Sequence, residues 1–118
     1  MKLPHAEEAI ASEDKLTTYL LDEAHQEGRG KALFFQHFGF SVAQWKVLAQ
    51  ALLDHARTYN IAKAERTRFG TRYVVEGYLD TPVGRRPMVR TVWFVRRGET
   101  APRLVTAYPL EDDDDTRT

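Results

Sequence analysis

Apolar positions along the chain follow two different periods, close to 3.6 residues as far as Asn60 and close to 2 from Ile61 onwards. Helices should therefore come first and strands second. Pro4 fixes an extended start, with Leu3 and Ile10 as apolar anchors. Ser12 or Asp14 can cap a first helix through about Leu21, because Leu16, Tyr19 and Leu20 recur at helical spacing. Residues 22–30, with two glycines, break that pattern and read as a loop, which places His25 outside regular structure. A second helix is expected from Arg29 to Phe38, with Gly39 at the position that favours a left-handed residue. The third has the clearest start: Ser41 and Gln44 make an S-x-x-Q capping box, and Phe40 and Trp45 stand where a hydrophobic staple would close. Its buried stripe is Trp45, Leu48, Ala49, Leu52, His55 and Ala56, and it should fade near Thr58 to Asn60.

Ile61 to Thr67 is either a short charged strand or an extended lead, punctuated by Phe69-Gly70. Thr71 to Leu79 alternates Tyr73, Val75, Gly77 and Leu79 against Val74, Glu76 and Tyr78. Met88 to Arg97 is apolar on both faces, as a central strand would be, and Arg103 to Pro109 ends the series where proline removes a ladder donor. The pattern predicts an α+β fold, three N-terminal helices packed on one face of a C-terminal antiparallel sheet of three to four strands. One domain should span residues 1–110, and residues 111–118, with their run of four aspartates, read as a disordered acidic tail.

The length of 118 residues suits a single domain, and 42% hydrophobic residues supply a core. Cysteine is absent, which removes disulfides, thiolate metal sites and a cysteine nucleophile. No apolar run approaches a membrane span, and the first residues lack the halves of a signal peptide, so no membrane is expected as partner and the chain should be soluble and cytoplasmic. A net charge of zero hides a segregation: residues 1–60 carry six basic and eight acidic side chains, residues 61–110 ten and four, residues 111–118 one and five. Nine of the ten cations in the middle block are arginines, whose planar fork suits phosphate or carboxylate. Solvated strand faces would give the same composition. There is no Walker loop, G-x-G-x-x-G, H-E-x-x-H or G-x-S-x-G.

Of the four histidines, His37 and His55 sit beside apolar helical neighbours and read as packed residues, while His5 lies in the N-terminal arm. His25 is different, lying before a helix that opens with Arg29 and Lys31, where an imidazole and cations could meet an anion. No two histidines have metal-ligand spacing, so neither a metal nor another cofactor is expected. In the last strand, period 2 puts Thr106 and Tyr108 on one face with Leu104, and Arg103 on the other unless a bulge intervenes. Arg90 and Trp93 offer a cation and a large aromatic on the neighbouring strand, and Arg72 another cation. Arginines interleaved with Tyr73, Tyr78, Trp93 and Tyr108 make a composition suited to RNA, through phosphate contacts and base stacking, with Arg29, Arg72, Arg90 and Trp93 as its contacts. A sheet core with a charged rim would use the same residues.

Lys15-Leu-x-x-Tyr-Leu-Leu, His25-x-x-Gly28-x-x-Lys31-Ala-x-Phe-Phe, Phe69-Gly-x-x-Tyr73-Val-Val-x-Gly77, Val89-Arg-Thr-Val-Trp93 and Pro102-Arg-Leu-Val-Thr-Ala-Tyr-Pro109 together resemble an uncharacterised family of small bacterial toxin-like domains. Thr106 to Pro109 also resembles the closing strand of the barnase, EndoU, colicin and RelE superfamily of RNA-cleaving toxins. That resemblance implies metal-independent cleavage by attack of the ribose 2′-hydroxyl on the adjacent phosphate, and a cognate antitoxin or immunity protein as partner. It implies His25 as acid or base, Lys31 and Arg103 against the phosphate charge, and Thr106 and Tyr108 as donors to its oxygens. The competing expectation is a non-catalytic RNA- or protein-binding module on the same fold.

Overall fold

The computed structural model describes residues 1–26 and 29–110, so the expected acidic tail lies outside the described residues. Among the described residues, a 3-10 turn (Ala6–Glu8) and three longer helical elements precede a four-stranded antiparallel sheet of order β1-β2-β3-β4. The three are α1 (Glu13–Lys15), which runs on into a π-helical segment (Leu16–Leu20), α2 (Arg29–His37) and α3 (Trp45–Thr58). The strands are β1 (Ile61–Thr67), β2 (Gly70–Tyr78), β3 (Met88–Arg96) and β4 (Arg103–Pro109). The α+β architecture read from the periodicity is the one observed. Ile61–Thr67 is a true edge strand, paired with β2 from Ile61↔Val75 to Thr67↔Gly70.

The first helix departs from the regular α form for a local reason. Ser12 Oγ accepts from the Lys15 amide at 3.2 Å, as a cap should. Thr17 and Thr18 then donate their hydroxyls to the carbonyls of Glu13 and Asp14, the acceptors an α-helical ladder would use. The ladder slips to a wider turn, closed by the Leu21 amide on Leu16 O at 2.8 Å. Leu16, Leu20 and Leu21 are buried, while Tyr19 is packed only partly against the core.

At the third helix Ser41 closes a turn rather than the helix itself. Its hydroxyl accepts from the Gln44 amide at 3.3 Å, but Gln44 has φ −120° and ψ 46°, off the helical region, and the helix begins at Trp45. Leu48, Ala49, Leu52 and Ala56 then reach the core, with Trp45 half-buried against it. Gly39, at φ 97°, ends α2 as expected.

From the sheet, Val75, Leu79, Val89, Trp93, Leu104 and Ala107 face these helices in one cluster. His55 joins the two layers. Its Nε2 lies 2.9 Å from Val89 O and 3.2 Å from Gly77 O, and its Nδ1 lies 3.2 Å from Thr91 Oγ1. Carbonyls only accept, so Nε2 carries the proton and Nδ1 accepts from Thr91, whose oxygen in turn accepts from Trp93 Nε1 at 2.9 Å. Burial holds the imidazole below its ordinary value of 6.5, against the partial opposition of the two carbonyl bonds. His55 is thus a packed, neutral strut. Tyr59 lies flat over Gly77, where a Cβ would stand 2.2 Å from its ring.

The N-terminal arm closes the other sheet edge. Ile10 bridges β4 through its amide on Pro102 O and its carbonyl to the Leu104 amide, at 2.8 and 2.9 Å. α1 is thereby held beside β4.

Candidate functional site

Sequence places Tyr19 four residues after Lys15 and twelve before Lys31, and the fold turns both lysines onto it. Lys31 Nζ donates to Tyr19 Oη at 2.9 Å, and both ammonium groups lie 5.1 Å from the ring centroid. Thr106 Oγ1, from β4, is 3.1 Å from the same phenol oxygen. His25 sets its ring edge-on to Tyr19, with centroids 5.0 Å apart. It is brought there by a tight turn in which Asp22 Oδ1 accepts from the Ala24 amide at 2.9 Å and Asp22 O from the His25 amide at 3.2 Å. Burial raises the phenol's pKa, but the hydrogen bonds of Lys31 and Thr106 and the charges of Lys31 and Lys15 outweigh it, so Tyr19 is a stronger acid than an ordinary phenol.

This cluster borders an open depression of about 510 Å³ between the first helix and β4, walled by Asp14, Lys15, Thr18, Tyr19, His25 and Thr106 among others. Three of the five catalytic candidates, His25, Lys31 and Thr106, therefore meet, and they meet on Tyr19. Arg103 adjoins them. It lines a second depression of about 360 Å³ with Lys15, Phe94 and Arg96, which shares Ser12, Lys15 and Val105 with the first. Its guanidinium is 3.7 Å from Glu99.

Tyr108 has other partners. Arg90 Nη1 donates to its hydroxyl at 3.2 Å while Arg90 Nη2 pairs with Glu76 at 2.6 Å. The spacing argument put Thr106, Tyr108 and Leu104 on one face; an irregularity in the β3–β4 register pairs Val92 with Thr106 but Trp93 with Leu104 and leaves Val105 unmatched. The bulge is the exception the sequence allowed for. Arg72 lies 3.9 Å from Glu65, and Arg29 is exposed at the start of α2. Trp93 is fully buried with its Nε1 bonded to Thr91, so the expectation that it stacks on a base is corrected. Its ring is spent on the core because its cross-strand partners, Tyr73 and Leu104, face the helices.

Tyr19 was legible only as an apolar position of a helical stripe. The signal that could have revealed it is Lys15 one helical turn earlier, which puts an ammonium over the ring. Elsewhere, a larger hollow of about 690 Å³ between α3 and Asp80-Thr81-Pro82 is mainly apolar, and its acids are engaged, Asp54 with Gln50 and Asp80 with Arg86. Among the described residues, His5, Glu7 and Glu8 bring potential metal ligands within 4.8 Å of one another, all on the exposed surface.

A profile of a domain family of unknown function, DUF6883, matches residues 2–111. The chain belongs to DUF6883. No curated protein sequence matches this DUF6883 domain. Its fold is similar to that of a chain from a contact-dependent growth inhibition toxin–immunity protein complex of Klebsiella pneumoniae 342, with a TM-score of 0.68 at 16% identity. The similarity covers 86% of the DUF6883 chain and 100% of the other, and at that identity it shows a shared fold. Among the described residues, no helix is long and apolar enough to cross a membrane.

Proposed function

We propose that this domain is a toxin-type endoribonuclease whose reacting groups are the side chains gathered on Tyr19. Transfer of an RNA phosphodiester to its own 2′-oxygen needs a proton acceptor at the 2′-hydroxyl, a proton donor at the departing 5′-oxygen, and positive charge against the phosphorane. In the proposed chemistry His25 takes the 2′-hydroxyl proton as the 2′-oxygen bonds to phosphorus. The bond from phosphorus to the 5′-oxygen breaks, and that oxygen takes the proton of Tyr19. Lys31 and Thr106, already within hydrogen-bond distance of Tyr19 Oη, stabilise the phenolate that forms. Lys15 and Lys31 oppose the charge of the phosphorane, and the products are a 2′,3′-cyclic phosphate and a free 5′-hydroxyl. Tyr108, expected as a donor to the phosphate oxygens, has no part in this chemistry, because its hydroxyl is bonded to Arg90 while the phenol of Tyr19 borders the depression.

The observation that carries the reading is the phenol of Tyr19, hydrogen-bonded by Lys31 and held beside an imidazole, at an open depression that Lys15 also lines. The shared fold with a chain of a toxin–immunity complex supports a toxin-related role and a cognate immunity protein as partner. The test is to incubate the domain, with chelator present, with single-stranded RNA and with the same strand carrying 2′-deoxyriboses. Cleavage of the first alone, leaving 2′,3′-cyclic ends, is expected. Intact RNA overturns the reading, and binding without cleavage returns the domain to the class of binding modules.

A further inference from the structure

The Tyr19 depression shares Lys15 with a second, more basic one. That second depression, lined by Lys15, Arg103 and Arg96, shares Arg96 with a third depression of about 400 Å³ at the far end of the sheet. That third depression is walled by Arg66, Arg68, Arg96 and Arg97 against the single acid Glu99, where the β1–β2 turn meets the end of β3. The three hollows follow one another along the sheet, as a track, through shared lining residues, Lys15 and then Arg96, and Arg103 among these cations pairs with Glu99. Beside this third depression, between its lining residues Arg68 and Gly70, stands Phe69. It is 66% exposed, with the Arg68 guanidinium 4.9 Å from its ring centroid. The turn that carries it is held: the Phe69 amide donates to Thr67 Oγ1 at 3.1 Å, that hydroxyl donates to Gly70 O at 3.1 Å, and Phe69 O accepts from the Arg97 amide at 2.9 Å.

An exposed aromatic ring beside arginines, at the end of a cationic groove, is the chemistry that holds single-stranded nucleic acid: guanidinium groups follow the phosphates and a base stacks on the ring. We infer that the β1–β2 turn is a distal subsite for a single RNA strand, with Phe69 as its stacking platform, several nucleotides from the phosphate that reacts at Tyr19. This rests on the ribonuclease reading for the identity of the strand, and it assigns a role to a residue that the sequence marks only as a turn. A duplex offers its outer phosphates but no free base face to Phe69, so the track selects single strands.

The test is fluorescence anisotropy with strands made unreactive by 2′-O-methyl riboses, one a dinucleotide and one of about eight nucleotides, the site size of comparable single-strand grooves. The longer strand should bind about tenfold more tightly than the dinucleotide. Phe69→Ala should remove most of that gain, about tenfold for one stacked base, and Phe69→Trp should keep it. Arg68→Ala combined with Arg97→Ala should flatten the salt dependence of the longer strand. Because Phe69 is exposed, its replacement leaves the core intact. Equal binding of both lengths, or a longer strand indifferent to Phe69→Ala, overturns the inference. A domain that cleaves RNA yet shows no length effect keeps its chemistry and loses the track. A domain that shows the length effect and the Phe69 dependence but leaves unblocked RNA intact keeps the track and loses the cleavage.

Discussion

Tyr19→Phe removes one oxygen from the centre of the site and little else. The ring remains, with its edge contact to His25 and the Lys15 and Lys31 ammonium groups over its face. Two hydrogen bonds are lost, to Lys31 at 2.9 Å and to Thr106 at 3.1 Å, both partly exposed to water. Each contributes roughly 0.5–1.5 kcal/mol when both partners have water as an alternative, so the fold should lose about 1–3 kcal/mol and remain mostly populated. The rate should suffer far more, because a positioned proton donor contributes about 10²–10⁴-fold. Urea unfolding gives the first quantity and single-turnover cleavage of a labelled RNA the second, and KM should move little because no phosphate contact is removed. If Tyr19→Phe cleaves within a few-fold of the wild type, the phenol is not the proton donor and the chemistry assigned to this cluster is wrong.

His55→Leu should cost about 2–4 kcal/mol in urea unfolding, since Val89 O and the Thr91 hydroxyl lose a buried partner. Because His55 sits below 6.5 in the fold, the unfolded chain takes up a proton that the folded one resists; wild-type stability should therefore fall as pH drops below 6.5, and the substitution should remove that component. Gly77→Ala should destabilise by about 1–3 kcal/mol, because its Cβ would stand 2.2 Å from the Tyr59 ring; a neutral or stabilising result would refute that packing. Tyr108→Phe should leave cleavage near the wild-type rate and cost at most about 1 kcal/mol, since its hydroxyl serves Arg90; a hundredfold rate loss would restore it to the site.

How much the sequence disclosed depends on what each residue's role requires. Layer order followed from periodicity, which is a local property, and so did the helix-facing side of β2, where Val75, and Leu79 just past the strand's end, are buried. The start of α3 was misplaced because a capping box describes one turn, and whether the chain continues helically depends on the dihedrals of Gln44. The π-helical turn arises from Thr17 and Thr18 acting together on the carbonyls of the preceding turn, a competition that propensities of single residues do not contain. For the site, charge and residue type pointed to His25, Lys31 and Thr106, but their meeting point could not be read. Tyr19 and Thr106 lie 87 residues apart, and the parallel bridge of Ile10 to β4, with Leu16 and Leu20 in the same core as Leu104, brings the first helix beside Thr106. Trp93 was misread for the opposite reason: an aromatic among arginines looks the same in sequence whether it faces helices or solvent.

The central claim is that Tyr19, whose acidity Lys31 increases, protonates the departing oxygen. A proton donor is active only while it holds its proton, so cleavage should fall on the alkaline side through the lowered pKa of Tyr19, at a pH below the ordinary phenol value of 10. Replacing Lys31 removes both the hydrogen bond and the nearer charge that favour the phenolate. The decisive measurement is therefore the alkaline limb of the pH–rate profile in the wild type and in Lys31→Met, read beside the ultraviolet titration of the tyrosinate. The account predicts that limb and titration coincide in the wild type and that both move to higher pH in Lys31→Met. An alkaline limb that stays where it was, or one that persists in Tyr19→Phe, would contradict it.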